Sequence, residues 1–143
     1  MFGDSIHSVG WYNTYTQETR FNILTSVAPL SYHSVLDIGC GLGDLSAFFK
    51  KHNVKAIYKG IDLSEKMISI AKEKYPDSNF EVDDFLNPNF KDCVDYILCS
   101  GALNYRVQNQ DLYLETSIKK MFSLCKDVLQ RFSFFVLKNY LIR

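Results

Sequence analysis

Several things are scarce or missing in this chain of 143 residues, and each absence excludes something. No apolar run reaches the length a helix needs to cross a bilayer, so a helical membrane span is not expected. The opening residues, Met1-Phe2-Gly3-Asp4-Ser5, lack the basic stretch and apolar core of a secretory leader. Excess charge of either sign is missing too: Lys plus Arg and Asp plus Glu number 16 each. A neutral total gives no support to a nucleic-acid-binding surface, although it leaves room for a local patch. The four cysteines, Cys40, Cys93, Cys99 and Cys125, form no C-x-x-C pair and no metal-ligand spacing, so no metal site is expected. Three of them fall in apolar strand or helix patterns and read as small buried residues. His7, His33 and His52 have no partner pattern and read as surface residues. With 47% hydrophobic and 22% charged residues, the composition is that of one globular domain with a real core. The expectation is a cytoplasmic, reduced, soluble protein.

What is present centres on Val35-Leu36-Asp37-Ile38-Gly39-Cys40-Gly41-Leu42-Gly43-Asp44-Leu45. Val35, Leu36 and Ile38 make a short apolar run with β-branched members, the pattern of a buried strand. Gly39, Gly41 and Gly43 break it at a spacing of two. Glycines there permit positive φ and let a ligand approach the backbone with no Cβ in the way. From Leu45 the spacing becomes helical, with Leu45, Phe48 and Phe49 on one face. A helix beginning after such a turn offers unpaired N–H groups and the positive end of its dipole to a polar or anionic group.

The spacing narrows the ligand. The dinucleotide fingerprint is G-x-G-x-x-G, whereas here the run is G-x-G-x-G, preceded by Asp37. A carboxylate at the end of the strand repels a pyrophosphate and attracts a cationic amino-acid group, directly or through water. The pattern D-x-G-x-G-x-G at Asp37, Gly39, Gly41 and Gly43 resembles motif I of the class I S-adenosylmethionine-dependent methyltransferases. The resemblance runs from about Ser8 to Leu137 and implies S-adenosylmethionine as cofactor, with Cys40 inside the binding loop. It also implies an α/β fold: a three-layer, Rossmann-like methyltransferase architecture with a mainly parallel sheet of about five strands. Residues 1–143 are then a single cofactor-binding domain, with 1–30 as a cofactor-covering segment and helix and 34–137 as the core.

The rest of the chain agrees with that order. A helix is expected from Thr16 as N-cap, carrying Phe21, Leu24 and Val27-Ala28 on one face and ending at Pro29. By the resemblance the segment before the first strand folds over the cofactor. Arg20 is then placed to pair with the cofactor carboxylate, and Tyr12 or Tyr15 to cover it; the same residues, with Trp11, serve equally to pack this helix on the sheet. A second strand, Ala56 to Asp62, ends in an acid 19 residues past Gly43. A carboxylate at that distance accepts hydrogen bonds from both ribose hydroxyls. Leu63 follows, and Ser64 caps a helix with Met67, Ile68 and Ala71; Met67 is placed either along the adenine or in the core. Asn79-Phe80-Glu81-Val82 is a third strand. By the resemblance an acid at its end, Asp84 or its neighbour Asp83, bonds the adenine amino group, and the N–H of Phe85 reaches the ring.

Val94 to Cys99 reads as a fourth strand. Its following loop, Ser100 to Tyr105, lies where ligands sit in open parallel sheets. Backbone carbonyls from Ser100 to Ala102 are candidates to touch the methionine moiety, and Asn104 or Tyr105 to face a substrate. Asp111 to Leu129 reads as an amphipathic helix with a stripe of Leu114, Ile118, Met121, Phe122, Cys125 and Leu129. Phe132 to Leu137 is a fifth strand. The usual last two strands of the family, an antiparallel hairpin, have no sequence left to form them. The fifth strand is therefore expected to be an apolar edge, and a homodimer through it is one way to cover it. No N/D-P-P-Y/F motif is present, which weakens the case for methylating a nucleobase or glutamine amino group. Three functions compete: methyl transfer to an unidentified, small-molecule acceptor, with the catalytic residues unknown; a cofactor-binding domain or regulatory partner without turnover; and a nicotinamide-dependent oxidoreductase, which the glycine spacing and Asp37 oppose.

Overall fold

A computed structural model of the chain describes residues 14–26, 28–100, 102–104, 107–126 and 134–136. Five strands, β1 (Ser34–Ile38), β2 (Ile57–Asp62), β3 (Asn79–Val82), β4 (Tyr96–Cys99) and β5 (Phe134–Val136), form one parallel sheet in the order β3-β2-β1-β4-β5. Among the described residues four α-helices accompany them: α1 (Thr14–Ser26), α2 (Asp44–Lys51), α3 (Glu65–Lys74) and α4 (Gln110–Leu124). The chain winds outward from β1 to β3, then crosses back to β4. Strands β1 and β4 are therefore adjacent with their connections leaving in opposite directions, which opens a crevice at their carboxyl ends.

Alternation along the strands sorts the side chains into three layers. Val35, Tyr96 and Leu98 join Phe21 and Leu24 of α1 and Leu45, Phe48 and Phe49 of α2 in one cluster. Leu36, Ile38, Ile61, Ile97 and Cys99 face the other way, onto Met121 and Leu124 of α4. Strand residues two apart share a face, so Asp37 belongs with Val35 on the α1–α2 side and is itself 3% exposed. Near-continuous burial of β1 and β4 is what helices on both faces require. β5 lies at the end of the sheet order, paired with β4.

Two expectations about elements need correction. α1 begins at Thr14, so Thr16 lies within the first turn and does not cap it. Threonine suits a helix interior when its hydroxyl bonds back to a carbonyl, as Thr19 does to Tyr15 and Thr25 to Phe21, both at 2.9 Å. α4 is shorter at its end than its sequence pattern: Cys125 turns extended and pairs with Val94. The Val94 N–H donates to Leu124 O and the Lys126 N–H to Val94 O, each at 2.9 Å, so strand-type pairing captures the chain. The buried stripe of α4 is Ser117, Met121 and Leu124, while Ile118 and Phe122 stay 37% and 43% exposed. Serine at the inward position hid that stripe from a hydrophobic pattern. Trp11, Tyr12, Val27, Tyr105 and Leu129 lie outside the described residues.

Candidate functional site

The crevice is floored by the loop after β1. The N–H groups of Gly39 and Cys40 both donate to Ile61 O, at 2.8 and 3.0 Å, which staples the loop to the end of β2. Gly39, Gly41 and Gly43 have φ of 72°, 55° and 80°, in the left-handed region. Two of them also have no room for a side chain. A Cβ on Gly39 would lie 2.4 Å from the Ala102 Cβ, and one on Gly43 2.5 Å from the Phe80 ring. Gly39 thus lets the β1 loop press against the 3₁₀ turn Ala102–Asn104 after β4, and Gly43 lets α2 start over β3 and α3.

Asp62, at the end of β2, joins that loop to the next turn. Its Oδ2 accepts from the Gly41 N–H at 3.0 Å and its Oδ1 from the Ser64 N–H at 2.9 Å. Each carboxylate oxygen has two lone-pair sites, so one on each is left over. A carboxylate held by two backbone donors, with an acceptor site to spare on each oxygen, is able to take both hydroxyls of a vicinal diol. The Ser64 side chain accepts from the Met67 N–H at 3.3 Å, which caps α3 and fixes the turn below the acid.

Asp37 lies behind the loop. Its Oδ2 accepts from the Tyr58 hydroxyl at 2.7 Å. Burial raises its pKa to about 7; the Tyr58 hydrogen bond works against that rise and the nearby Asp62 charge adds to it. The Tyr58 phenol is itself pushed well above its ordinary value, by burial first and then by Asp37. The thiols of Cys40 and Cys99 are also raised by burial and by Asp37, Cys99 to about 12, so both are neutral packing groups at ordinary pH.

The remaining expected residues are distributed around this centre. The Asp83 N–H donates to Asp62 O at 3.2 Å, which ties the end of β3 to the end of β2. Asp83 Oδ1 accepts from the Asp84 N–H at 2.8 Å, and Asp84 Oδ1 from the Leu86 N–H at 2.9 Å. The Phe85 side chain sits in the α4-side core, and among the described residues its N–H has no acceptor. Leu63 is 70% exposed beside Asp62, and Met67 is half-buried in the first turn of α3. Ser100 follows β4; its hydroxyl is buried without a partner among the described residues. Arg20 is half-buried on α1, where burial lowers its pKa. Tyr15 is 79% exposed.

Three residues of the site were not foreseen from the sequence: Asp44, Tyr58 and Gly60. Asp44, the first residue of α2, accepts from Gln17 Nε2 of α1 at 3.2 Å, Lys74 Nζ at 3.2 Å and the Tyr75 hydroxyl at 3.0 Å. It gathers three helices around the loop, and its charge suits a helix N-terminus. Tyr58 and Gly60 were the other omissions. The signal available was a tyrosine two residues before a glycine in β2. Among the described residues no group of three His, Cys, Asp or Glu side chains is arranged to hold a metal ion, and no helix is long and apolar enough to cross a membrane.

Comparison with known proteins gives the following. A family profile described as a methyltransferase domain matches residues 35–129. The methyltransferase-like protein 235L of Invertebrate iridescent virus 6 is 33% identical over 89 residues, 62% of this chain and 34% of that one. Trans-aconitate 2-methyltransferase of Escherichia coli is 29% identical over 91 residues, 64% of this chain and 36% of that one. The chain thus spans about a third of the length of these curated relatives. Among solved structures, an S-adenosylmethionine-dependent methyltransferase of Clostridium acetobutylicum superimposes with a TM-score of 0.61 at 24% identity, over 81% of this chain and 48% of that one.

Proposed function

This chain belongs to the methyltransferase domain family and has the class I, Rossmann-like fold of the S-adenosylmethionine-dependent methyltransferases, and on that premise we propose that it transfers a methyl group from the cofactor to a small-molecule acceptor. S-adenosylmethionine is the cofactor of this family. The observation that carries the reading is Asp62, fixed by the Gly41 and Ser64 N–H groups with an acceptor to spare on each oxygen. The fit extends to charge. Asp37, Asp62, Asp83 and Asp84 stand at or just past the carboxyl ends of β1, β2 and β3. Such a ring of carboxylates suits a ligand with an ammonium, a sulfonium and a ribose diol and no phosphate, and repels a pyrophosphate.

In this reading Asp62 takes the ribose hydroxyls. Asp37 faces the cationic amino-acid end behind Gly39, Cys40, Gly41 and Gly43. Asp84, or Asp83 beside it, takes the adenine amino group, and the open Phe85 N–H reaches the ring. Leu63 and Met67 lie along the adenine; Arg20 and the backbone at Ser100 take the methionine end. When bound, the cofactor supplies an electrophilic methyl on sulfur. The protein's part is to hold donor and acceptor in line and to exclude water, for which no general base is required.

The test is transfer of a tritium-labelled methyl group from S-adenosylmethionine to a panel of small acids, phenols and amines. Trans-aconitate is included because a relative acts on it. Label in one acceptor class, lost in Asp62→Ala, supports turnover. Tight cofactor binding with no transfer to any class overturns the methyl-transfer reading in favour of a binding domain or regulatory subunit.

A further inference from the structure

Strand register places Val35 opposite Tyr58 and Asp37 opposite Gly60. Tyr58 and Gly60, two apart on β2, share a face, and Tyr58 reaches past Gly60 to the diagonal neighbour. Its hydroxyl lies 2.8 Å from where a Gly60 Cβ would be, and the Cys40 Cβ and Sγ lie 2.9 Å from the same point. Any side chain at position 60 would displace this arrangement. The ring is braced edge-on by Phe49 of α2 at 5.7 Å and by Phe80 of β3 at 5.9 Å between centroids. So held, the hydroxyl donates to Asp37 Oδ2 at 2.7 Å, while Oδ1 accepts nothing among the described residues. A tyrosine that only filled the core would not need its hydroxyl aimed at a carboxylate through the gap left by a glycine.

We propose that Tyr58 is a positioning residue of the cofactor site: acting across Gly60, it grips one oxygen of Asp37 from beneath and leaves the other for the cationic end of the bound cofactor. This rests on the reading that the loop holds S-adenosylmethionine. The groups facing Asp37 from its neighbours are Asp62 at the end of β2, Cys40 in the loop and Cys99 at the end of β4; Asp44 at the start of α2 bears on Tyr58. All are acids or thiols. Among the described residues Tyr58 is the donor that favours the charged form of Asp37. Its loss makes Asp37 harder to ionise, and binding of a cation that needs the carboxylate then requires a higher pH.

The experiment is calorimetric titration of wild type, Tyr58→Phe, Asp37→Asn and the double variant with S-adenosylhomocysteine across a pH series. The expected result is a wild-type affinity that rises through neutral pH, with its midpoint moved up by about one pH unit in Tyr58→Phe. That is about fivefold weaker binding at pH 7, approaching about tenfold at lower pH. In Asp37→Asn the pH dependence is lost and Tyr58→Phe changes nothing further. Where Tyr58→Phe does not fold, 3-fluorotyrosine placed at position 58 keeps the shape and strengthens the donor, and the midpoint must move down. A midpoint unmoved by either change, in protein that binds, overturns the role of Tyr58. A folded wild type that binds no S-adenosylhomocysteine at any pH overturns the underlying reading as well.

Discussion

Removing the Asp62 carboxylate perturbs two things of separable size. In the ligand-free protein, Asp62→Ala leaves the N–H groups of Gly41 and Ser64 without their acceptor. Asp62 is half-buried, so water replaces part of the loss. The expected cost is about 1–2 kcal/mol in all, or a fall in Tm of about 3–6 °C for a domain of this size. Ligand binding suffers more. Two ribose hydroxyls donating to a carboxylate are charge-assisted hydrogen bonds, each worth about 1.5–3 kcal/mol. Losing both weakens S-adenosylhomocysteine binding by about a hundredfold or more. Asp62→Asn keeps the shape and one oxygen and is expected to fall between. Urea unfolding and calorimetric titration of the same preparations measure the two effects. An Asp62→Ala protein that folds and binds S-adenosylhomocysteine as wild type does would refute the diol-binding argument outright.

Two further predictions concern the loop. Asp37 holds its proton up to about 7 when folded, against an ordinary value of 3.8, so the folded state binds more protons through that window. The contribution of Asp37 to the stability of the ligand-free protein should therefore be fully present below about pH 4, fall as pH rises through about 7 and level off above it, by at most about 4 kcal/mol. Urea unfolding of wild type and Asp37→Asn across this range checks it; an Asp37→Asn protein with the same slope would contradict the assignment. Gly39→Ala combines a φ of 72° with a Cβ 2.4 Å from that of Ala102. It should cost about 2–4 kcal/mol, and Ala102→Gly should recover the steric part, leaving the about 1–2 kcal/mol owed to the backbone angle; thermal melts of the double variant give the answer.

The order of strands and helices was legible because each local signal agreed with the others. An apolar run, a glycine turn and a helical stripe followed in sequence at 35–49, and acids closed the second and third strands. Asn79–Val82 emerged with the bounds its sequence suggested. What could not be read depended on the third dimension. The inward face of α4 turns on Ser117, a residue that hydrophobic pattern reading passes over. The end of that helix was set by Val94, about thirty residues away in sequence, pairing with Cys125. Within the site, sequence spacing placed the acids at strand ends. It was silent on the reach of Tyr58 across Gly60 to Asp37, because that contact is diagonal between strands. The glycines carried two meanings at once. Gly39 and Gly43 are required by Ala102 and Phe80, while Gly41 gives its N–H to the Asp62 carboxylate.

The most direct test of the account is a calorimetric titration of the whole chain with S-adenosylhomocysteine, run beside one with NADH. Saturable micromolar binding of S-adenosylhomocysteine and no heat from NADH is the predicted result, since in the proposed site the carboxylates around the loop are to admit a cation and a diol and reject a pyrophosphate. Binding of NADH in preference, by folded protein, would contradict it.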